Sequence, residues 1–452
     1  MEQIIAHLIF QYSKILEKMN KLQKEEFVSN LPGISNTVIY LVYTVQFCIP
    51  VVRCFLANYV VIHFSERLTS FPVIPRLVTE SFIIFIPMIL TYICFYNCLV
   101  IELIIIAFVC FILLRILLNL KYSDTFHYKA YSGFKASYIN RSRCSLNIIT
   151  GFLILAIDFH ALPRFFGKVE NYGHGLMDTG TGCYIFYNAL VSPQALNLSH
   201  VSMSISQKMK RHIFLIGIGF LRCFSVVLLG YQQHISEYGA HWNFFLTLFV
   251  VNLVVPLLYD VFPTWSSGII SLVLISIYQL YLTAFGGNQY LIQDHAAEEN
   301  ILKANREGIA SCVGYIAIHF SGVAAGRWLH SFGSTMKGLV KAFSFLITIF
   351  LVIINILNLV GGSENVVSRR FANFGYLLYI IHIVSYFLMV ELLWDITCLF
   401  LIQRGVPLQL ILDCDLCRST PLHKPVRNCF CVYRLIATHQ LEYFLIANVL
   451  TV

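Results

Sequence analysis

Long runs of apolar residues alternate with short polar segments through most of the chain. Each run extends over about 20 residues without the alternation typical of a membrane β-strand, and this length predicts a helix that crosses a bilayer. The candidate spans lie near residues 37–61, 80–98, 99–120, 146–163, 176–192, 212–230, 242–262, 265–285, 309–326, 338–360, 371–402 and 430–450. The pattern predicts an all-α fold, a polytopic transmembrane helical bundle of about 12–13 spans, because the run at 371–402 is long enough for two.

The composition supports a protein surrounded by lipid. Of the 452 residues, 58% are hydrophobic and 12% are charged, and the mean hydropathy is +0.73. A soluble domain carries about a quarter charged residues, so the lipid bilayer is the main solvent of this chain. The net charge of +8 is spread over loops without a dense basic run, which excludes a nucleic-acid partner.

The apolar pattern divides the chain into three parts. Residues 1–36 form an N-terminal non-membrane tail, 37–402 a single membrane domain, and 403–452 an atypical C-terminal segment with a final membrane span. The tail balances four Lys against four Glu and has no apolar core, so we expect the first span to act as the signal anchor.

Basic residues indicate how the spans are oriented. The loops at 62–79, 121–145, 199–211 and 327–341 hold thirteen Lys and Arg, and the opposite loops hold six. Because basic loops stay cytosolic, the second set faces the lumen. The polar loops at 164–175 and 286–308 then share the lumenal side, where we expect them to form one site.

The strongest chemical signal is a carboxylate at the end of an apolar run. Asp158 lies near the end of the predicted span at 146–163, Pro163 then stops the helix, and Lys168 lies in the polar loop beyond. An unpaired charge at mid-bilayer depth costs about 2 to 3 kcal/mol, which favours a function for Asp158. The two side chains could act as an acid/base pair or as an ion pair that closes the loop. His160 and His174 are reserve candidates for a base.

A second polar group opens the run at 309–326. Arg306 could hold a lipid phosphate, with Asn305 and Glu307 on either side, or this group could only anchor the start of a helix at the interface. Within the run, Gly322 and Gly326 form a G-x-x-x-G pattern, which predicts close helix packing.

Four cysteines cluster near the C-terminus, at Cys414, Cys417, Cys429 and Cys431. The second pair, C-x-C, is spaced too tightly for an ordinary zinc site. We therefore predict no metal and no tightly bound cofactor.

Three stretches of sequence resemble the inositol acyltransferases of glycosylphosphatidylinositol-anchor biosynthesis, known as PIG-W in animals and Gwt in fungi. They are DFHALPRFFGKVENYGHGLMDTGTG at 158–182, ANREGIASCVGYIAI at 304–318 and KEEFVSNLPGIS at 24–35. The resemblance implies transfer of a fatty acyl chain, usually palmitoyl, from acyl-CoA as co-substrate to the inositol of glucosaminyl-phosphatidylinositol, a phosphoinositide glycolipid. It also implies a multi-pass protein of the endoplasmic reticulum membrane.

The resemblance assigns roles to particular residues. Asp158 and Lys168 match the catalytic pair of the family. The substrate-binding candidates within or beside the motifs are Arg164, Glu170, Asp178, Asn305, Arg306 and Glu307. Beyond about residue 398 the chain departs from the family pattern, which we interpret as a splice variant or a gene-model error.

Three other functions are compatible with isolated features. A transporter could use Asp158 and Lys168 as a coupling pair, although no matching halves are visible in the sequence. A membrane-bound O-acyltransferase of the His/Asn type would need an intramembrane histidine, for which His382 is the candidate. A non-enzymatic packing subunit would leave the cost of Asp158 unexplained.

Overall fold

The computed structural model describes residues 31–49, 51–52, 73–119, 137–196, 205–229, 242–262, 266–292, 301–362, 366–403 and 432–450. All regular structure in these ranges is helical. Most of the N-terminal tail and the cluster of four cysteines lie outside the described residues.

We number the helices in chain order. They are α1 Asn36–Ile49, α2 Val73–Ile93, α3 Leu99–Asn119, α4 Tyr138–Ala156, α5 Leu176–Leu190, α6 Ile205–Leu229, α7 Phe244–Val261, α8 Ser267–Ala284, α9 Gly287–Ile292, α10 Ile301–Ala304, α11 Arg306–Ser331, α12 Met336–Leu359, α13 Phe374–Gln403, α14 Val432–Thr438 and α15 Gln440–Leu450. Within the described residues, α7, α8, α11, α12 and α13 are long and apolar enough to cross a membrane, and α1, α2, α3 and α6 contain shorter apolar helices. The prediction of an all-α polytopic membrane protein is confirmed.

The predictions for two of the spans were wrong. Helix α4 begins at Tyr138, before the predicted residue 146, and ends at Ala156, so Asp158 lies in a turn beyond the helix. The run predicted to hold two spans is one continuous helix of 30 residues, α13. It contains no proline and its one glycine lies in the first turn, so nothing in the sequence interrupts it.

Helix α11 packs against α5, α7, α8 and α13. Its glycines permit this approach: a methyl group at Gly322 would lie 2.7 Å from the carbonyl oxygen of Phe186, and one at Gly326 would lie 2.7 Å from that of Leu190. The close packing predicted from the G-x-x-x-G pattern is therefore confirmed, with α5 as the partner.

Helices α4 and α13 run antiparallel. The start of α13 contacts the start of α5, where the Tyr376 hydroxyl donates to the carbonyl of Asp178 at 2.7 Å. Further along α13, Glu391 and Asp395 contact Arg141 in the first turn of α4. The turn that carries Asp158 follows the opposite end of α4, so it lies on the same side of the bundle as the start of α13.

The predicted orientation can be tested on two glycosylation sequons. We expect that neither Asn140-Arg-Ser142 nor Asn197-Leu-Ser199 carries a glycan, because both belong to segments predicted to be cytosolic. Asn140 is exposed in the first turn of α4, and Asn197 lies outside the described residues. Gel mobility should be unchanged by glycosidase. A mobility shift that Asn140→Gln or Asn197→Gln removes would contradict the orientation.

Candidate active site

The turn after α4 holds Asp158, and Arg164 closes it. The Arg164 guanidinium donates to the carbonyl oxygens of Ile157 at 2.8 Å, Phe159 at 3.1 Å and Leu162 at 3.2 Å. Burial lowers the pKa of the Arg164 guanidinium, and the nearby Asp158 carboxylate opposes this change. Arg164 therefore holds the backbone on both sides of Asp158. Its positive charge also lies close enough to interact with the Asp158 carboxylate.

Asp178 fixes the loop that carries Lys168. Its buried carboxylate accepts the N–H of Val169 at 3.0 Å and the N–H of Gly175 at 2.7 Å, both on Oδ2. Its Oδ1 accepts from the Arg369 guanidinium at 2.6 Å, and this arginine is also buried. Because Val169 directly follows Lys168, the Asp178 carboxylate fixes the backbone position from which the Lys168 side chain extends.

A close approach of two glycines completes the loop. A methyl group at Gly175 would lie 1.9 Å from the carbonyl oxygen of Gly167, a distance that backbone atoms do not tolerate. Glycine at position 175 is therefore a steric requirement of the Asp178 arrangement.

Arg370 joins this loop to the start of α11. Its guanidinium binds Glu307 as a fork, with Nη2 at 2.6 Å from Oε1 and Nε at 3.1 Å from Oε2. Its Nη1 donates to the side-chain oxygen of Asn171 at 2.6 Å. The polar loops at 164–175 and 286–308, predicted to share one side of the membrane, thus meet through Arg370. Glu170 lies half-buried next to Asn171 in the chain.

The two residues that precede Glu307 are both buried. Arg306 places its guanidinium 5.0 Å from the centre of the Tyr290 ring, a cation–π contact with α9. Asn305 occupies the position just before α11, where its carbonyl accepts the N–H of Ile309 at 3.1 Å. Arg306 therefore holds α9 against the start of α11, beside the Arg370 contact.

The segment before α13 organises the site, and sequence reasoning missed it. Its Val367 carbonyl accepts the N–H of Gly173 at 2.9 Å, and the Ser368 hydroxyl donates to the Asn171 carbonyl. Asn373 caps α13 by accepting the N–H of Tyr376 at 2.9 Å. The sequence counted Arg369 and Arg370 only as loop charges. The available signal was two adjacent arginines before a membrane helix, with acidic residues in the facing loops.

A second polar cluster lies at the other end of α4. Arg141 pairs with Glu391 at 3.0 Å and with Asp395 at 2.7 Å, and Asp395 also accepts the backbone N–H groups of Ser137 and Tyr138. Along the helix this cluster is ~25 Å from Asp158, at 1.5 Å per residue. It joins α4 to α13 and caps α4, so it is separate from the candidate active site.

His382 does not resemble a catalytic base. One ring nitrogen contacts the Tyr40 hydroxyl, the other contacts the Phe350 carbonyl at 3.3 Å, and the ring stacks on Phe350 at 4.4 Å between centres. His174 is buried against the Tyr379 ring, with centres 4.5 Å apart. His382 therefore contacts α1 and α12, and His174 packs against α13.

The chain matches known proteins over nearly its whole length. The model of the GWT1 family matches residues 20–451, including α14 and α15. The glucosaminyl-phosphatidylinositol-acyltransferase PIGW of Homo sapiens is 31% identical, over 95% of this chain and 90% of its own length. The protein of the same name from Mus musculus is 30% identical, over 80% of this chain and 74% of its own. The GPI-anchored wall transfer protein 1 of Saccharomyces cerevisiae is 37% identical over 46% of this chain and 44% of its own length.

Proposed function

Because the chain belongs to the GWT1 family, we propose that it transfers a fatty acyl chain from acyl-CoA to the inositol ring of glucosaminyl-phosphatidylinositol. The observation that carries this proposal is the similarity, over 95% of the chain, to a human protein named glucosaminyl-phosphatidylinositol-acyltransferase. The same name favours acyl transfer over the transporter alternative. The family's role in anchor biosynthesis supports a location in the endoplasmic reticulum membrane.

Asp158 and Lys168 perform the chemistry in this proposal. Asp158 accepts the proton of an inositol hydroxyl while the oxygen of that hydroxyl attacks the carbonyl carbon of the thioester. The Lys168 ammonium offsets the negative charge that develops on the carbonyl oxygen. When the intermediate collapses, the C–S bond breaks, and the leaving coenzyme A sulfur takes the proton held by Asp158. The acyl chain passes directly to the acceptor, and no acyl-enzyme forms.

Four of the six predicted substrate-binding residues divide into two groups. Asp178 and Glu307 each bind an arginine of this chain at 2.6 Å, so we assign them to holding the loop and the start of α11 in place. Glu170 and Arg164 are half-buried in the loop beside Lys168 and Asp158. We assign the Glu170 carboxylate to the ammonium of the glucosamine and Arg164 to the phosphate of the acceptor.

An acyl transfer assay tests the function. Membranes that contain this chain, from cells lacking their own enzyme, are incubated with glucosaminyl-phosphatidylinositol and radiolabelled palmitoyl-CoA. We expect label in an alkali-labile ester on the inositol ring, and no label when the acceptor is omitted. Label that is independent of the acceptor, or absent from the inositol, would refute the proposed reaction.

The Arg370 contact gives a separate prediction. Arg370→Gln removes a buried charged fork, with an expected loss of at least about tenfold in acyl transfer, because hydrogen bonds to charged groups contribute about 1.5 to 3 kcal/mol. Arg370→Lys keeps the charge but not the fork, so its activity should be intermediate.

The control for Arg370 is Lys303→Gln, which changes an exposed basic residue of α10 near the same helix start and should retain parent activity. Kinetics of Arg370→Gln, Glu307→Gln and the double variant complete the test. If the two residues act as a pair, the double variant is no worse than the worse single variant. Independent, additive losses would argue against the pair.

A further inference from the structure

A cavity separate from the Asp158 turn lies between α5, α6, α7, α11 and α15 and is partly open to its surroundings. The apolar lining consists of Ile185, Phe214, Leu215, Leu248, Val251 and Leu441. The polar lining consists of Tyr184, Asn188, Asn252 and His319. The cavity therefore combines an apolar wall with several hydrogen-bonding groups.

The polar groups lie at mid-span depth. Asn252 is the ninth of the 18 residues of α7, and His319 lies in the middle of α11; both helices are candidate membrane spans. The described part of the chain offers the Asn252 amide no hydrogen-bond partner. A polar group without a partner in the bilayer is unstable, so this amide indicates a ligand with a hydrogen-bonding group at the same depth.

Arg143 adds a positive charge at the edge of the cavity. Its Nη2 donates to the side-chain oxygens of Asn188 at 3.2 Å and Gln440 at 3.1 Å, both neutral, and Asn188 lines the cavity. Its neighbour Arg141 pairs with two carboxylates, whereas no described carboxylate pairs with Arg143. Arg143 is half-buried in the second turn of α4, so water solvates its charge only in part. Both features favour an anionic group.

We propose that this cavity binds a phosphate-bearing amphiphile. The phosphate pairs with Arg143, an amide or ester group bonds Asn252, and the apolar chain lies against the wall formed by Phe214, Leu248 and Val251. Two molecules share this chemistry, the acyl donor and a glycerophospholipid. The choice of the acyl donor rests on the proposed function. Arg143 lies 15 residues before Asp158, ~22 Å along the α4 axis, so its site is distinct from that of the attacking hydroxyl.

The test measures binding without turnover. Purified full-length protein is titrated with radiolabelled S-hexadecyl-coenzyme A, a thioether that cannot transfer its chain, and native mass spectrometry records copurified phospholipid. We expect Arg143→Gln to weaken the binding of one of these ligands at least tenfold and Asn252→Leu several-fold. Asn355→Leu is the matched control, because the exposed Asn355 amide of α12 donates to the carbonyl of Leu351 at 2.7 Å and bonds no other residue within the described ranges.

Each outcome decides the proposal. Weaker binding of the thioether identifies the acyl donor, and loss of the phospholipid alone identifies a structural lipid. Unchanged binding of both ligands in folded Arg143→Gln and Asn252→Leu proteins overturns the proposal. If either variant does not fold, Leu441→Trp replaces it, since this substitution fills the cavity from α15 and leaves Arg143 intact. A parent protein that binds the thioether but transfers no acyl chain would refute the proposed function and leave the cavity proposal standing.

Discussion

Asp158→Asn is expected to abolish acyl transfer while the protein remains folded. Asparagine keeps the shape of aspartate but cannot accept the proton of the attacking hydroxyl, and loss of a general base lowers the rate about 10²- to 10⁴-fold. Asp158 lies in a turn beyond α4, so its replacement leaves the packing of the helix unchanged. The measurement is the initial rate of labelled acyl transfer at equal protein, with thermal unfolding in detergent as the check on folding.

Lys168 variants separate charge from geometry at the same site. Lys168→Met should lose activity to a similar extent, and Lys168→Arg should be intermediate because the charge remains while its position changes. Asp260→Asn is the matched control, since Asp260 is an exposed carboxylate at the end of α7. Turnover of Asp158→Asn close to that of the parent would contradict the assignment of the base.

Hydropathy predicted most of the fold because membrane spans leave a local signal. Twenty consecutive apolar residues identify a span without any information about its neighbours. The start of α4 was missed because it is set by a distant residue: Asp395 accepts the N–H groups of Ser137 and Tyr138, and Arg141 pairs with it inside α4. A sequence pattern cannot indicate a partner about 250 residues away, so these charged residues were taken for a loop.

The candidate site shows the same division. The sequence singles out Asp158 and Lys168 as candidates because they lie ten residues apart and flank a proline that ends a helix. The residues that hold their loop were missed, because Arg369 reaches Asp178 across 191 residues and Arg370 reaches Asn171 across 199. Residues close together in the sequence thus suggest a chemical hypothesis, while the residues that hold the loop in place required the tertiary structure.

Arg369→Leu is expected to cause the largest loss of stability. It leaves the Asp178 carboxylate buried without its cation, and removal of one partner of a buried pair costs about 3 to 5 kcal/mol. Because Asp178 also holds the backbone of Val169, the change should displace Lys168 and lower acyl transfer in the protein that still folds. Thermal unfolding and acyl transfer of the purified variant measure the two effects.

A double variant distinguishes this account from a simple packing defect. Asp178→Asn removes the buried negative charge while its side-chain oxygen can still accept the N–H groups of Val169 and Gly175. Arg369→Leu combined with Asp178→Asn should therefore be more stable than Arg369→Leu alone, because no charge is left unpaired. If lost packing around Arg369 caused the defect, the double variant would be no more stable than the single one, and the unpaired carboxylate would not be its cause.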